Sequence, residues 1–591
     1  MSFNQYYQSE LNALRQLGGV FAERNPALAH FIGQSGSDPD VERLLEGFAF
    51  LTGRLRQRLD DGLPELTQSL MYLLWPNYMR PLPAFSMLQF DPLQQAQPAL
   101  SIGRHAQVSS RAIQGVPCGF RTCYATEVLP LQLSELRYAE NGDGAYLTLR
   151  LTMTCDGHLG QLELSRLRLH FAEDSYIRQT LYLSLLRHLD SIEVTVLDDA
   201  GLLLRSEGGQ ELSFKLPADR VQPVGFAEDE ALIPYPLNTF RGYRYLQEYF
   251  AFQEKFLFVD VSGLDVLGGL SEETLKRARS VDLRFSINKN SMQRQRPTLA
   301  NVKLYCTPIV NLSRKDVSPI RLEGRDDEYL LLPDERNRSG YGVFSVDRVA
   351  SGPDEEPFVL FESFEHDASF DVLNARPHYS IRQRQSLSHD GLDTYLSFGG
   401  NKLKDGETIS IEATCTNQNL PRQLKIGDIT ERGPDMPETV RFRNISIPTT
   451  SYAPPLNGDY LWKVISNMSL NYVSLANVNA LKVILETYDL PRYYDQKARN
   501  VSKNLLDGMK SISHQAVDRL HRGLPVRGIR TELEIDPQKY IGEGDLFLFA
   551  TVLNEFFALY ASLNSYHELH VKSTQGEVYQ WTPRMGQQPL L

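Results

Sequence analysis

At 591 residues the chain is longer than one hydrophobic core supports, and its length suggests about four domain-sized units. Hydrophobic content of 42% and charged content of 23% are those of a soluble folded protein, and a formal net charge of -12 argues against broad nucleic-acid binding. The five cysteines (Cys118, Cys123, Cys155, Cys306 and Cys415) are odd in number and scattered, which excludes a disulfide scaffold and, with no Cys/His pair beside Cys118 and Cys123, argues against zinc.

The first seven residues are polar and lack a signal-peptide core, so the chain is expected in the cytoplasm. Residues 2–24 predict a helix with Tyr7, Leu11, Leu14, Leu17 and Phe21 on one side. Gly18-Gly19 weakens it, Asn25-Pro26 breaks it, and a short helix follows through Ile32. Residues 38–58 then form the most legible helix of the chain. Asp38 suits the N-cap and Pro39 the first helical position, while Asp60-Asp61-Gly62-Leu63-Pro64 ends the element. Val41, Leu44, Leu45, Phe48, Leu51 or Thr52, Leu55 and Leu59 recur at helical spacing and are expected to form its core face. Phe50 lies off that stripe, with Gly47 one turn earlier and Arg43 and Arg54 nearby. A small residue beside an aromatic on a polar face can seat another chain, and packing under a loop of its own chain is the plainer alternative. One more helix, starting near Pro64, ends before Pro76.

From about Phe85 the period changes from helical to alternating. Leu147, Leu149, Leu151 and Met153 predict one strand, Leu167, Leu169 and Phe171 a second, and Ile192, Val194 and Val196 a third. A helix is predicted from Asp174 to Leu189. The aromatic run from Tyr243 to Phe258 reads as core rather than as a platform for sugars or bases. Val281, Leu283, Phe285 and Ile287 form another strand, and turn signals such as Ser339-Gly340 and Asp405-Gly406 punctuate a β-rich stretch to residue 450. Arg294-Gln295-Arg296 and Arg382-Gln383-Arg384 read as solvated loops. Helices are expected at Leu461–Leu475, Val478–Tyr488 and Gln496–Ile512, and a strand at Thr531–Asp536.

The last helix starts at Asp545, and Phe549, Val552, Phe556 and Tyr560 belong to an apolar arc wider than one face. It is no membrane span, because Asn554 and Glu555 near its middle carry a cost of about 3 kcal/mol. A core helix or one shared with a partner fits, and these four residues are the candidate contacts. The fold class is therefore α+β and multidomain. A helical segment covers 1–84, an antiparallel α+β domain 85–223, a β-rich domain 224–450, and a mixed domain with the long apolar helix 451–591.

No phosphate-binding loop, dinucleotide fingerprint or nucleophile elbow occurs. His567 and His570 are three apart, where the helical metalloprotease motif needs four. Carboxylate pairs at Asp198-Asp199, Asp326-Asp327 and Glu355-Glu356 sit in turns. No catalytic residue, cofactor or metal ligand is predicted.

Four long stretches carry a resemblance. They are Asp38–Leu51 (Asp-Pro-Asp-Val-Glu-Arg-Leu-Leu-Glu-Gly-Phe-Ala-Phe-Leu), Glu248–Phe256 (Glu-Tyr-Phe-Ala-Phe-Gln-Glu-Lys-Phe), Cys306–Leu312 (Cys-Thr-Pro-Ile-Val-Asn-Leu), and Leu548–Leu569 with Leu563-Asn564-Ser565-Tyr566. Over nearly its whole length the chain resembles the TssF (ImpG/VasA) family of type VI secretion baseplate subunits, departing from its pattern at Ser313, where Phe is usual. The resemblance implies a non-enzymatic wedge subunit at a cytoplasmic baseplate docked on the inner membrane. It implies as partners a TssG-like subunit shared by two TssF copies, TssK, TssE, the VgrG spike and the sheath. It also implies stiff domains on adjustable links, with Pro76–Pro83 and Ser451–Pro455 as candidates.

Overall fold

The computed structural model describes residues 75–586 except 96–98, 206–208, 210, 236–241, 293, 323–327, 352–356, 361–376, 387–390, 400–405, 457–459, 462–463, 466–476, 522–523, 560 and 562–564; before Trp75 it describes residues 7–8, 11, 14, 43–52, 54, 68 and 71–72. The chain divides into two compact units, one of residues 1–79, 362–366 and 455–468 and the other of the remainder.

In the first unit residues 43–52 are helical, as their spacing predicts. Leu11, Ala49, Met71, Trp75, Tyr78, Tyr460, Leu461 and Val464 are buried. The Trp75 and Tyr78 rings meet edge to face at 4.9 Å, a favoured aromatic geometry. Most of the helix expected over 2–24, and that expected over 461–475, lie outside the described residues.

The second unit is built on antiparallel sheets, confirming the α+β class. A six-stranded sheet runs in the order Ile429–Arg432, Gln107–Ile113, Val116–Thr122, Cys306–Val310, Phe85–Phe90, Phe442–Asn444. A five-stranded sheet runs Ser213–Pro217, Leu189–Leu197, Ser280–Ile287, Gly144–Met153, Leu131–Asn141. Its register, with Leu283 between Leu149 and Val194, stacks the alternating apolar residues on one face. Both sheets take strands from either side of the boundary expected after residue 223, so contiguous domains over 85–223 and 224–450 do not describe the packing. Strand pairing is set by apolar faces that match in space, not by order in the chain. Two further sheets, containing Thr408–Thr416 and His378–Gln385, share a core that includes Val317, Ile411, Ala413, Leu396 and Tyr379.

The helix Ser175–Arg187 begins where expected, because the Asp174 carboxylate accepts from the backbone N–H groups of Tyr176 and Ile177 at 2.9 and 3.1 Å. Val478–Tyr488 also matches. The helix expected over 496–512 instead ends at Gly508, and Met509–His521 is a strand hairpinned to Leu524–Ile535. The strand expected at Thr531–Asp536 is the end of Leu524–Ile535, and the rest of the hairpin escaped the sequence reading because its polar and apolar residues do not alternate cleanly. Arg382 and Arg384 are not in a loop. They sit two apart on the strand His378–Gln385 and reach the two carboxylate oxygens of Glu328 at 3.0 and 2.6 Å. Among the described residues no helix is long and apolar enough to cross a membrane.

Two of the points at which the chain passes between the units are 79/80 and 454/455. Just inside the second unit the two passages are stapled together. Leu82 N–H donates to Tyr452 O at 2.8 Å, Tyr452 N–H to Leu82 O at 3.0 Å, and Ser451 Oγ to the same carbonyl at 2.9 Å. Leu82 is buried, so Pro76–Pro83 and Ser451–Pro455 are anchored along part of their length rather than free throughout.

Candidate partner-facing site

On the helix of residues 43–52 the buried side chain is Ala49, with Leu45 and Thr52 half-buried. Leu44, Phe48 and Leu51, expected in the core, are 73%, 56% and 64% exposed. This corrects the sequence reading, which located the apolar stripe and then assumed that the chain buries it. Phe50 is 44% exposed, and Arg43, Gly47 and Arg54 are exposed too. Outside its own helix, no described residue lies within 4 Å of where a Gly47 side chain would begin. Val41, Leu55 and Leu59 lie outside the described residues. The helix therefore presents Leu44, Phe48 and Leu51 on one side and Phe50 on another. Contiguous apolar surface of this kind is a candidate for contact with another chain.

The terminal helix behaves oppositely. It spans Glu543–Ala558, and Phe549, Val552 and Phe556 have no exposed area. Phe549 packs against Tyr249 at 5.6 Å and Tyr540 at 6.1 Å, and Phe556 against Tyr243 at 5.8 Å. These three are sealed by their own domain, so the wide apolar arc is core and they are withdrawn as partner contacts. Tyr560 lies outside the described residues.

The Glu248–Phe256 stretch closes over this helix. The Glu248 carboxylate accepts from Leu232 N–H at 2.7 Å and pairs with the buried Lys255 ammonium, which also donates to Glu230 O at 3.0 Å. Burial pushes Lys255 down to about 8, against the pull of Glu248. Gln253 Nε2 and Gln179 Nε2 both donate to Asp545 Oδ1, at 3.1 and 2.9 Å. The Cys306–Leu312 stretch is used in the same way. Asn311 Nδ2 donates to Gly119 O and to Asn417 Oδ1, both at 2.8 Å, and Asn417 N–H donates back to Asn311 Oδ1 at 2.7 Å. These motifs are hydrogen-bonded clasps between distant segments; their polar groups are spent on each other. His567 and His570 lie three apart on the strand Tyr566–Ser573, which directs them to opposite faces. Among the described residues no cluster of His, Cys, Asp or Glu could hold a metal ion.

The type VI secretion system TssF family model matches residues 1–588. The chain belongs to the TssF family. It is 29% identical to type VI secretion system component TssF1 of Pseudomonas aeruginosa, over 99% of both chains. Among solved structures it is similar to a chain of the TssK-TssF-TssG baseplate subcomplex of the type VI secretion system, with TM-score 0.73 and 29% identity over 92% of this chain and 99% of that one. It is also similar to a chain of the type VI secretion baseplate complex, with TM-score 0.62 and 26% identity over 99% of this chain and 100% of that one. The matched residues include the stretches 248–256 and 306–312, whose polar groups bond within the fold.

Proposed function

We propose that this TssF-family chain is a non-enzymatic structural subunit of a type VI secretion baseplate wedge. It clamps around the VgrG spike hub in the cytoplasm, at the inner-membrane-docked machine. It is linked through a TssG-like subunit to TssK, and to TssE and the sheath, with two copies per TssG. The observation that carries this reading is the exposed face of the helix of residues 43–52. Leu44, Phe48 and Leu51 follow the four-then-three spacing of a coiled-coil seam, and Val41 and Leu55 extend it in sequence. A chain that buries its other motifs and leaves this seam in water offers it to helices of other subunits. Arg43, Gly47, Phe50 and Arg54 form the second contact surface of that helix.

The test is the mass, by light scattering after size exclusion, of the chain co-expressed with a TssG-like subunit. A discrete complex of two copies to one is expected. Phe50→Asp is expected to weaken that complex while the subunit keeps its melting temperature. A parent chain that stays monomeric beside the TssG-like subunit contradicts the proposal, and a Phe50→Asp complex of full strength removes Phe50 from the interface.

A further inference from the structure

The helices Val478–Tyr488 and Gln496–Gly508 meet at a corner, residues 489–495, that lies against the stapled passages. Tyr494 OH donates to Ala453 O at 2.6 Å, and its ring stacks on that of Tyr452 at 5.5 Å. Leu490 is buried in the same core cluster as Leu82 and Phe85, against which Tyr452 also packs.

The corner is bonded to itself. Pro491 opens the single turn Pro491–Tyr494, where a first helical position leaves its missing N–H unneeded. Asp495 N–H donates to Pro491 O at 2.9 Å, and the Asp495 carboxylate caps the next helix by accepting from Lys497 N–H at 2.7 Å. Arg499 Nε donates to Arg492 O at 3.1 Å. Its fastening to the passage, by contrast, is reached by water, because Tyr494 is 50% exposed.

Asp489 sits at the root of this corner and is 3% exposed. Among the described residues no basic side chain forms an ion pair with it. Arg492, the nearest in sequence, is paired with Glu486 at 2.9 Å. The other groups that face Asp489 are uncharged at neutral pH: Ser502 on the following helix, Tyr249 on the helix Gly242–Ala251, Tyr452 on the passage and Tyr493 on the corner itself. Burial pushes the Asp489 carboxyl up to about 6, against the opposing pull of Ser502 and Arg492. A buried carboxylate without a paired cation costs free energy when charged, and a corner that lifts into water recovers it.

We propose that residues 489–495 form a pH-sensitive strap over the stapled passages, held closed while the buried Asp489 carboxyl is neutral and loosened when it is charged. The sign follows from linkage. In the open strap Asp489 returns to its ordinary range, near 3.9, so the closed strap binds a proton that the open one releases between the two values. Closure is therefore favoured as pH falls, by about tenfold from pH 7.5 to pH 5. The strap concerns this chain alone and does not rest on the baseplate reading.

The experiment is hydrogen–deuterium exchange of the full chain, read as protection factors, which remove the intrinsic effect of pH on exchange. The probes are the amides of Leu82 and Tyr452, whose hydrogen bonds make the staple. They are expected to be about tenfold better protected at pH 5 than at pH 7.5. Tyr494→Phe keeps the ring and removes the hydroxyl bond, and is expected to lower their protection about fivefold at either pH. Asp489→Asn is expected to raise protection at pH 7.5 and to abolish the pH response. A parent without a pH response, or a response that survives Asp489→Asn, overturns the proposal. So does Tyr494→Phe with unchanged protection, or with a loss shared equally by the strand Ser280–Ile287, which would be unfolding of the whole domain. No TssG-like subunit is used, so this experiment and the complex-mass experiment fail independently.

Discussion

His170 shows how a single side chain sets an acid limit on this fold. It is 2% exposed, its Nδ1 lies 3.2 Å from Leu257 O, and its ring centroid is 4.3 Å from that of Phe258. Burial holds the imidazole down to about 3, whereas in the unfolded chain it titrates near its ordinary 6.5. Between those values the unfolded chain binds a proton that the folded chain refuses. The stability from this residue is therefore complete above pH 6.5 and lost as pH falls toward 3. At pH 5 the loss is about 2 kcal/mol. In His170→Gln that term is absent, so the stability gap between parent and variant, read from urea unfolding, is expected to shrink by about 2 kcal/mol from pH 7 to pH 5. A gap that stays constant refutes the assignment. His170 had no signature in the sequence beyond its place next to Leu169 and Phe171. Its burial comes from the strand Phe258–Ser262, which pairs with its own strand from 88 residues away, Phe258 opposite His170.

At the scale of elements, the terminal helix illustrates close approach. Gly544 stands in its first turn, and a Cβ there would press into the backbone of Gln179 and come within 2.7 Å of Thr180 N. The helices Glu543–Ala558 and Ser175–Arg187 touch backbone to backbone at that point, beside the hydrogen bond from Gln179 to Asp545. Gly544→Ala forces them apart and is expected to cost about 1–3 kcal/mol, seen as a lower melting temperature without loss of helical signal. An unchanged melting temperature would mean that the contact relaxes at no cost. Read from the sequence, this helix starts at Asp545. The cap itself is Gly542, and the reason for Gly544 is a helix more than 350 residues earlier in the chain.

At the scale of the whole molecule, the exposed Leu44, Phe48 and Leu51 determine solution behaviour. The net charge of -12 favours solubility, but apolar surface on one helix drives self-association when no partner is present. The isolated chain is expected to sediment as a concentration-dependent mixture, and Leu44→Glu/Phe48→Glu/Leu51→Glu to convert it to a monomer with the parental melting temperature. A triple variant that unfolds would show that the face is covered within the chain. The same scale explains why the expected domains failed as contiguous blocks. Sheets recruit strands across the 223/224 boundary, and the segments beside two of the passages between the units are stapled at Leu82 and Tyr452.

Local patterns are carried by residues near one another in the chain, so the sequence alone determined the helix of residues 43–52, the alternating strands of the five-stranded sheet, the start of a helix near Asp174 and the motifs that resemble the TssF family. Which apolar face meets water depends on what packs against it. Only the tertiary structure decided that Leu44, Phe48 and Leu51 are exposed while Phe549, Val552 and Phe556 are sealed. Hydrophobic spacing records that a face must be covered; it does not record whether the cover comes from the same chain or another.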